Sequence, residues 1–483
     1  MNRDPILAGT TTIHEASSSL KAGLFFLFAA SVALLLPYVR NPALVALVLV
    51  QLACLSIPIW INVQRNSFDP FESVHVMGLR YFVFFGMGAI WTAQDPVNVA
   101  FDRYVEPYLL QATLYCTLGF IAFLAGYYAS WFRSDVVRKT IDRPTTIWFV
   151  LIPGMIGFVG SMAGALWARA AWVGVNISTS ISSLAQLSPL YHFGWALCWL
   201  IALSPSTRRL TRWVLLGTSV PATMIIVANG LTDKSGAFTM VAVPIVAVWY
   251  TRGKLPWKSL VVLFLLLIFV IFPFFNTFKL IDPRLGTMLR AEMTWNIVSS
   301  WDTQAYVKAS TTAAKGRLAL INSVAIVVRD TPRWVPYANG RTIFLPSLAY
   351  FVPRILWKDK PLFDLGREFG RTFRMTLIID DQTSIASTVP GELYWNFDLM
   401  GIIIGMAIWG TGIRFCYRRY GAGNRLDPIR RATHIVLLIQ FIHFGGGIAG
   451  QGVMVIRTLM LIEAFLWFAR RTGLIRVERL DDA

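Results

Sequence analysis

Hydrophobic residues along this chain neither alternate nor fall on one helical stripe; they run together in stretches of about 15 to 25, with the polar residues gathered between them. A membrane-crossing helix needs about 20 mostly apolar residues. On that criterion spans are expected at 21–39, 42–62, 74–92, 107–131, 146–167, 185–203, 213–229, 236–250, 259–276, 390–413, 432–450 and 452–470. The fold class is therefore all-α: a polytopic membrane protein with about twelve transmembrane helices. The stretch at 21–39 is too long for a signal peptide, lacks a small-x-small cleavage site, and continues through Pro37 into the next apolar run. One interval breaks the rhythm. Residues 277–389 form a largely polar loop whose apolar pieces, 316–328 and 342–357, are short. The second holds Pro346 and Pro353, so both suit interfacial or re-entrant helices.

Composition agrees with a membrane chain: 55% of the 483 residues are hydrophobic and only 14% are charged, against about 25% charged in an ordinary soluble domain. The net charge of +18 is first a matter of topology and lipid contact, so nucleic acid is not an expected partner. With the N-terminus in the cytoplasm, the loops at 133–143, 208–212, 252–258 and 414–431 face that side and hold 16 basic residues. The short loops opposite hold only Arg40, Arg103, Arg169 and Lys234. Both termini are then cytoplasmic, and residues 277–389 lie outside; long loops translocate largely regardless of charge. The expected organisation is a cytoplasmic arm (1–20), nine spans (21–276), the large loop (277–389), three spans (390–470) and a cytoplasmic tail (471–483). Cys54, Cys116, Cys198 and Cys416 are far apart and show no metal-ligand spacing. No Walker loop, HExxH or GxSxG element is present, and no metal or cofactor is expected.

The chemistry the loop could carry is cationic. Residues 354–374, RILWKDKPLFDLGREFGRTFR, hold Arg354, Lys358, Lys360, Arg367, Arg371 and Arg374. On a helix, Arg367, Arg371 and Arg374 share one face at i, i+4 and i+7. Guanidinium groups grip phosphate bidentately and stabilise charge on a departing diphosphate; a basic helix lying on anionic lipid head groups has the same pattern. Downstream, TSIASTVPGELYWNFDLMGI puts Pro390 and Gly391 at a helix start and Glu392 in its first turn. There a carboxylate either complements the helix dipole or serves as general base for a sugar hydroxyl. Tyr394 and Asn396 could stack on and hydrogen-bond a sugar, although aromatic residues at this depth also form interfacial belts. His443 and Arg457 fall in the outer halves of their spans, where ionisable residues mark a wet cavity or a packed interior.

The segment AYFVPRILWKDKP, followed by the S…PGELYWNF…G run, resembles the oligosaccharide repeat-unit polymerases of bacterial surface polysaccharides, the Wzy-type O-antigen and exopolysaccharide polymerases. NGLTDKSGAF is similar to a short polar loop of that family, with Lys234 where an Arg is usual, and Asp398 stands where many members carry Gly. The resemblance implies transfer of a growing glycan from undecaprenyl diphosphate to another lipid-linked repeat unit at the periplasmic face of the inner membrane. It implies a chain-length regulator and a flippase as partners. Arg354, Lys358, Lys360, Glu392, Tyr394 and Asn396 are the motif positions it carries over. The combined expectation gives Glu392 the role of base, and gives the diphosphate to Arg354, Lys358, Lys360, Arg367, Arg371 and Arg374. Lys234, His443 and Arg457 support.

An O-antigen ligase uses the same donor and remains an alternative. A lipid-linked oligosaccharide flippase is another, although transporters are built from two similar halves, whereas here nine spans precede one long loop. A polyprenyl-phosphate-dependent glycosyltransferase would need acidic residues in its first outer loop, and this one has none.

Overall fold

A computed structural model describes residues 41–65, 68–100, 102–129, 140–173, 179–229, 234–253, 255, 257–282, 285–352, 357, 365–376, 383–421, 427–442 and 446–479. Its principal helices are α1 Pro42–Gln64, α2 Ser73–Gln94, α3 Glu106–Tyr128, α4 Ile147–Val173, α5 Pro189–Leu203, α6 Arg209–Asn229, α7 Lys234–Arg252 and α8 Lys258–Phe278. They continue with α9 Thr287–Ser299, α10 Thr303–Leu318, α11 Ile321–Asp330, α12 Arg341–Phe351, α13 Leu365–Thr372, α14 Val389–Cys416, α15 Pro428–Ile442 and α16 Gly447–Arg471. Local chemistry sets the boundaries: α1, for example, opens with Pro42 at its first position while the Asn41 side chain accepts from the Leu44 amide.

Among the described residues α1, α2, α3, α4, α8, α14 and α16 are long and apolar enough to cross a membrane, and α10 with α11, bent by 54° at their junction, would make an eighth. The expected spans at 185–203 and 432–450 form helices of only 15 residues, α5 and α15. The expected span at 21–39 lies outside the described residues. The fold also has one element the apolar pattern does not announce, an antiparallel strand pair. β1 (Thr140–Pro144) joins β2 (Ile475–Arg479), with Thr140 opposite Arg479.

That pair fixes which loops share an end. The end of α16 lies with the start of α4. There too Glu72 accepts from Tyr127 at the end of α3 and pairs with Arg414 near the end of α14, while Asp69 accepts from Trp249 and Tyr250 near the end of α7. The end of α3, the start of α4 and the ends of α7, α14 and α16 thus lie at one end of the bundle, and the starts of α14 and α16 at the other.

The interior divides into two apolar clusters, one built around α1–α3, α11, α13 and α14, the other around α4–α7, α15 and α16. Glycine lets backbones touch in each. A Cβ at Gly126 would lie 1.9 Å from the Ala407 carbonyl oxygen, and one at Gly410 would lie 2.1 Å from that of Phe123, so α3 and α14 meet main chain to main chain. This is the small-residue packing that membrane helices use where hydrophobicity supplies no drive between them.

Within the expected outer loop, α11 is buried from Ile321 to Val328 and packs on α3 and α14. Position 88 on α2 has to be glycine for this approach, since a Cβ there would be 2.9 Å from the Ala319 Cα. Helix α12 covers most of the second apolar piece and leaves Phe344, Leu345 and Leu348 exposed, as suits a helix at a lipid surface. Helix α8 is little buried. It packs on α9 and α10, where the Arg290 guanidinium donates to the Phe278 carbonyl at 2.7 Å and Tyr306 donates to that of Phe269.

Candidate functional site

Helices α12, α14 and α16 all begin at the end remote from the strand pair, and their first turns meet around Glu392. Two backbone features frame the segment that carries it. Thr388, with φ 60° and ψ 154°, starts α14 and accepts the Gly391 amide at 3.1 Å; Phe397 and Asp398 break the helix, Asp398 having φ 57° and ψ −159°. Between them every residue from Val389 to Asn396 is buried. Beyond the break, residues 399–413 hold no charge, and fifteen residues at 1.5 Å each cover about 22 Å of apolar helix.

The Glu392 side chain is 0% exposed and sits on the amino end of α16. Oε2 accepts from the Ile448 amide at 2.5 Å and the Ala449 amide at 3.3 Å, and Oε1 accepts from the Thr342 hydroxyl in the first turn of α12 at 3.1 Å. The unpaired amides of a helix start and the helix dipole both favour a carboxylate there. Gly447 is needed on two counts: its φ is +67°, and a Cβ would lie 2.3 Å from Glu392 Oε2. Asn396 completes the junction. Its Nδ2 donates to Thr342 Oγ1 at 2.7 Å and to the Glu392 carbonyl at 2.8 Å, while Oδ1 accepts the Gly340 amide at 2.8 Å. Glu392 and Asn396 therefore tie α12, α14 and α16 together from inside. In this arrangement the expected base is buried, and both of its oxygens accept from protein donors.

Helix α13 docks on this junction through aromatic contacts, Phe369 and Phe373 lying 6.1 and 5.1 Å from the Trp395 ring. Burying that face turns Arg367 and Arg371 outward. The helix ends at Thr372, so Arg374 is not on the expected continuous face. It lies in the following turn with φ 55°, exposed. Arg341, the first residue of α12, pairs with Glu368 of α13 at 2.7 Å, and both are largely exposed. Such a pair contributes about 0–1 kcal/mol and serves mainly to set the helix's direction.

Tyr394 is buried and stacks on Tyr115 of α3 at 5.5 Å. The Tyr337 and Tyr394 rings lie 6.5 Å apart. Burial, with Asp398 adding to it, raises the Tyr337 pKa above its ordinary value, which keeps the hydroxyl a donor.

Of the other expected residues, Arg457 is on α16 ten positions beyond Gly447, about 15 Å along the axis from the Glu392 anchor, because α16 starts five residues earlier than its apolar run suggests. Lys234 is the first residue of α7, at the same end of the bundle as the Glu392 junction. Arg354, Lys358, Lys360 and His443 lie outside the described residues. Thr342, Gly340, Gly447 and the Ile448 and Ala449 amides escaped sequence reading because main-chain donors and small residues carry no side-chain signature. Asp398 had one, an acidic residue directly after an aromatic-amide run.

Among the described residues no group of three or more His, Cys, Asp and Glu side chains could hold a metal ion. The chain matches no family model, no curated protein and no solved structure.

Proposed function

We propose that this chain is a membrane glycosyltransferase that polymerises lipid-linked oligosaccharide repeat units. It moves a growing glycan from undecaprenyl diphosphate to an acceptor sugar on a second lipid-linked unit, at the periplasmic face of a bacterial inner membrane. The observation that supports this reading most is the docking of the cationic helix α13, by Phe369 and Phe373 on Trp395, at the end of the bundle where α12, α14 and α16 present their amino termini. Guanidinium groups favour phosphate, so this end suits an anionic head group whose lipid tail stays in the bilayer.

In the proposed step the acceptor hydroxyl oxygen bonds to the anomeric carbon of the growing glycan. The bond from that carbon to the diphosphate oxygen breaks, undecaprenyl diphosphate leaves with the electron pair, and the acceptor hydroxyl gives up its proton to the departing diphosphate. Arg367, Arg371 and Arg374, with Arg354, Lys358 and Lys360 of the preceding segment, hold the departing diphosphate. Glu392, buried and engaged, acts as a positioning residue that holds the three helix starts, and Asn396 acts with it. Both chain termini face the cytoplasm in this arrangement, and a chain-length regulator and a flippase are the partners it calls for.

Reconstitution with the native lipid-linked repeat unit tests the reading. A ladder of glycan lengths on the lipid is the expected product. Transfer only to lipid A core would identify a ligase, and translocation without bond formation a flippase.

A further inference from the structure

The strand pair that joins the start of α4 to the end of α16 carries a charge conflict. In its register Arg143 stands directly opposite Arg476. Like charges at directly opposite positions of an antiparallel pair work against the pairing, and a ribbon of two strands has no third strand to support it. The flanking sequence does not relieve this: over residues 140–146 and 470–479 five arginines stand against Asp142 and Glu478. The dipole of α16 accounts for Arg470 and Arg471 in its last turn. It does not account for Arg476, which is exposed and lies beyond the turn at Gly473, where φ is +72°.

The ribbon is held by neutral contacts. The Thr145 amide donates to the Leu474 carbonyl at 3.1 Å and the Thr145 hydroxyl to that of Gly473 at 2.9 Å, while Ile475 is buried in the second apolar cluster. Close by, Phe149 of α4 stacks on Phe465 of α16 with ring centroids 5.5 Å apart. The two helices are therefore side by side at this level, and next to that buried pair each carries an exposed tryptophan: Trp148 is 58% exposed and Trp467 is 61% exposed. The Arg471 guanidinium lies over the Trp467 ring, 5.5 Å from its centroid, and Phe468 is exposed beside it. Exposed tryptophan on a membrane protein belongs at the level of the lipid head groups. Arginines gathered at that level meet the phosphate layer, and a guanidinium offers phosphate a planar fork of donors.

We propose that the seam between α4 and α16 binds an anionic phospholipid of the leaflet at this end of the bundle. Arg471 and Arg476 hold its phosphate, and its acyl chains lie against Trp467 and Phe468. The lipid's charge offsets the repulsion built into the ladder, so lipid and strand pairing support each other: what binds the closed ribbon stabilises it. The site does not depend on the polymerase reading, and none of its readouts needs a glycan.

The test uses the full chain in nanodiscs of phosphatidylcholine, with and without added phosphatidylglycerol, beside native mass spectrometry of the solubilised protein titrated with either lipid. The parent is expected to retain phosphatidylglycerol in preference to phosphatidylcholine and to unfold at a higher temperature in the anionic discs. Arg471→Gln and Arg476→Gln should each weaken phosphatidylglycerol binding about fivefold, whereas Arg252→Gln, at an exposed arginine ending α7 at the same end of the bundle, should change it by less than about twofold. Arg476→Gln also removes the like-charge pair. In phosphatidylcholine it should therefore unfold no lower than the parent, and its gain from phosphatidylglycerol should shrink. Equal binding of the two lipids by the parent, a loss in Arg252→Gln as large as in the seam variants, or an Arg476→Gln that unfolds below the parent in phosphatidylcholine overturns the proposal. So does inorganic phosphate that stabilises the parent in phosphatidylcholine discs as much as phosphatidylglycerol does, since a soluble anion is then the ligand.

Discussion

Replacing Glu392 separates a positioning role from a chemical one. In Glu392→Ala three protein donors lose their acceptor together: the Thr342 hydroxyl at 3.1 Å and the Ile448 and Ala449 amides at 2.5 and 3.3 Å. Each buried donor left unsatisfied costs about 1–3 kcal/mol, so even the low end of the sum is about 3 kcal/mol, before the loss of the helix-end charge. At about 2 °C per kcal/mol for a chain of this size, unfolding should fall by about 6 °C or more. Glu392→Gln is a gentler change. Its amide oxygen can take both backbone amides, but its NH₂ meets Thr342 Oγ1, which already accepts from Asn396 and loses the acceptor for its own hydroxyl, so the charge assistance and one hydrogen bond are lost, about 2 kcal/mol or 4 °C. The assay is tryptophan fluorescence of purified protein in micelles during heating at one fixed rate, since unfolding of such proteins is a kinetic event, run beside the ladder assay. Positioning predicts that Gln retains most of the polymerisation while Ala loses fold and activity together. A Gln variant that unfolds within about 1 °C of the parent but polymerises a hundredfold more slowly would refute that assignment and return Glu392 to the chemistry.

Arg367→Ala and Arg371→Ala should each raise the KM for the lipid-linked donor about tenfold, an effect that shrinks at high salt; steady-state kinetics at two ionic strengths checks this. Phe373→Ala leaves α13 without one of its two contacts on Trp395 and should expose the helix to limited proteolysis, costing about 3–5 kcal/mol at the buried site. Gly126→Val places atoms against the Ala407 carbonyl and should abolish the stable α3–α14 contact, read as loss of a monodisperse species on size exclusion. Arg414→Ala takes the paired guanidinium from the buried Glu72 carboxylate at the opposite end of the bundle and leaves it neutral donors such as the Tyr127 hydroxyl. It should destabilise by about 3–5 kcal/mol while leaving the donor KM of the folded fraction unchanged.

The apolar runs made the long helices legible, because a membrane helix has to satisfy its backbone internally and exclude charge for its whole length. The carboxylate at the start of α14 was legible as well, since Pro390, Gly391 and Glu392 follow the grammar of a helix start. What that grammar leaves open is the neighbour. Whether Glu392 faces a sugar or the amino end of α16 depends on contacts 56 and 57 residues away in sequence, to Ile448 and Ala449. The break at Phe397 and Asp398 leaves no local mark in hydropathy, because the helix pattern continues on both sides of it. Helix α11 reads as interfacial or re-entrant from its short length, and its packing on α3 and α14 places it in the interior, bent by 54° from α10. The cations of α13 were visible as a pattern of spacing, but Arg374 left the shared face because the helix stops at Thr372.

The strand pair has a consequence for how the protein is made. Thr140 finds its partner at Arg479, 339 residues later. A ribosome adding about 5–20 residues per second needs roughly 20–70 seconds to cover that distance, during which the first helices are already inserted and β1 waits as an open edge. The strand pair can close only after α16 has been made, so β1 spends that interval without the partner it has in the folded chain.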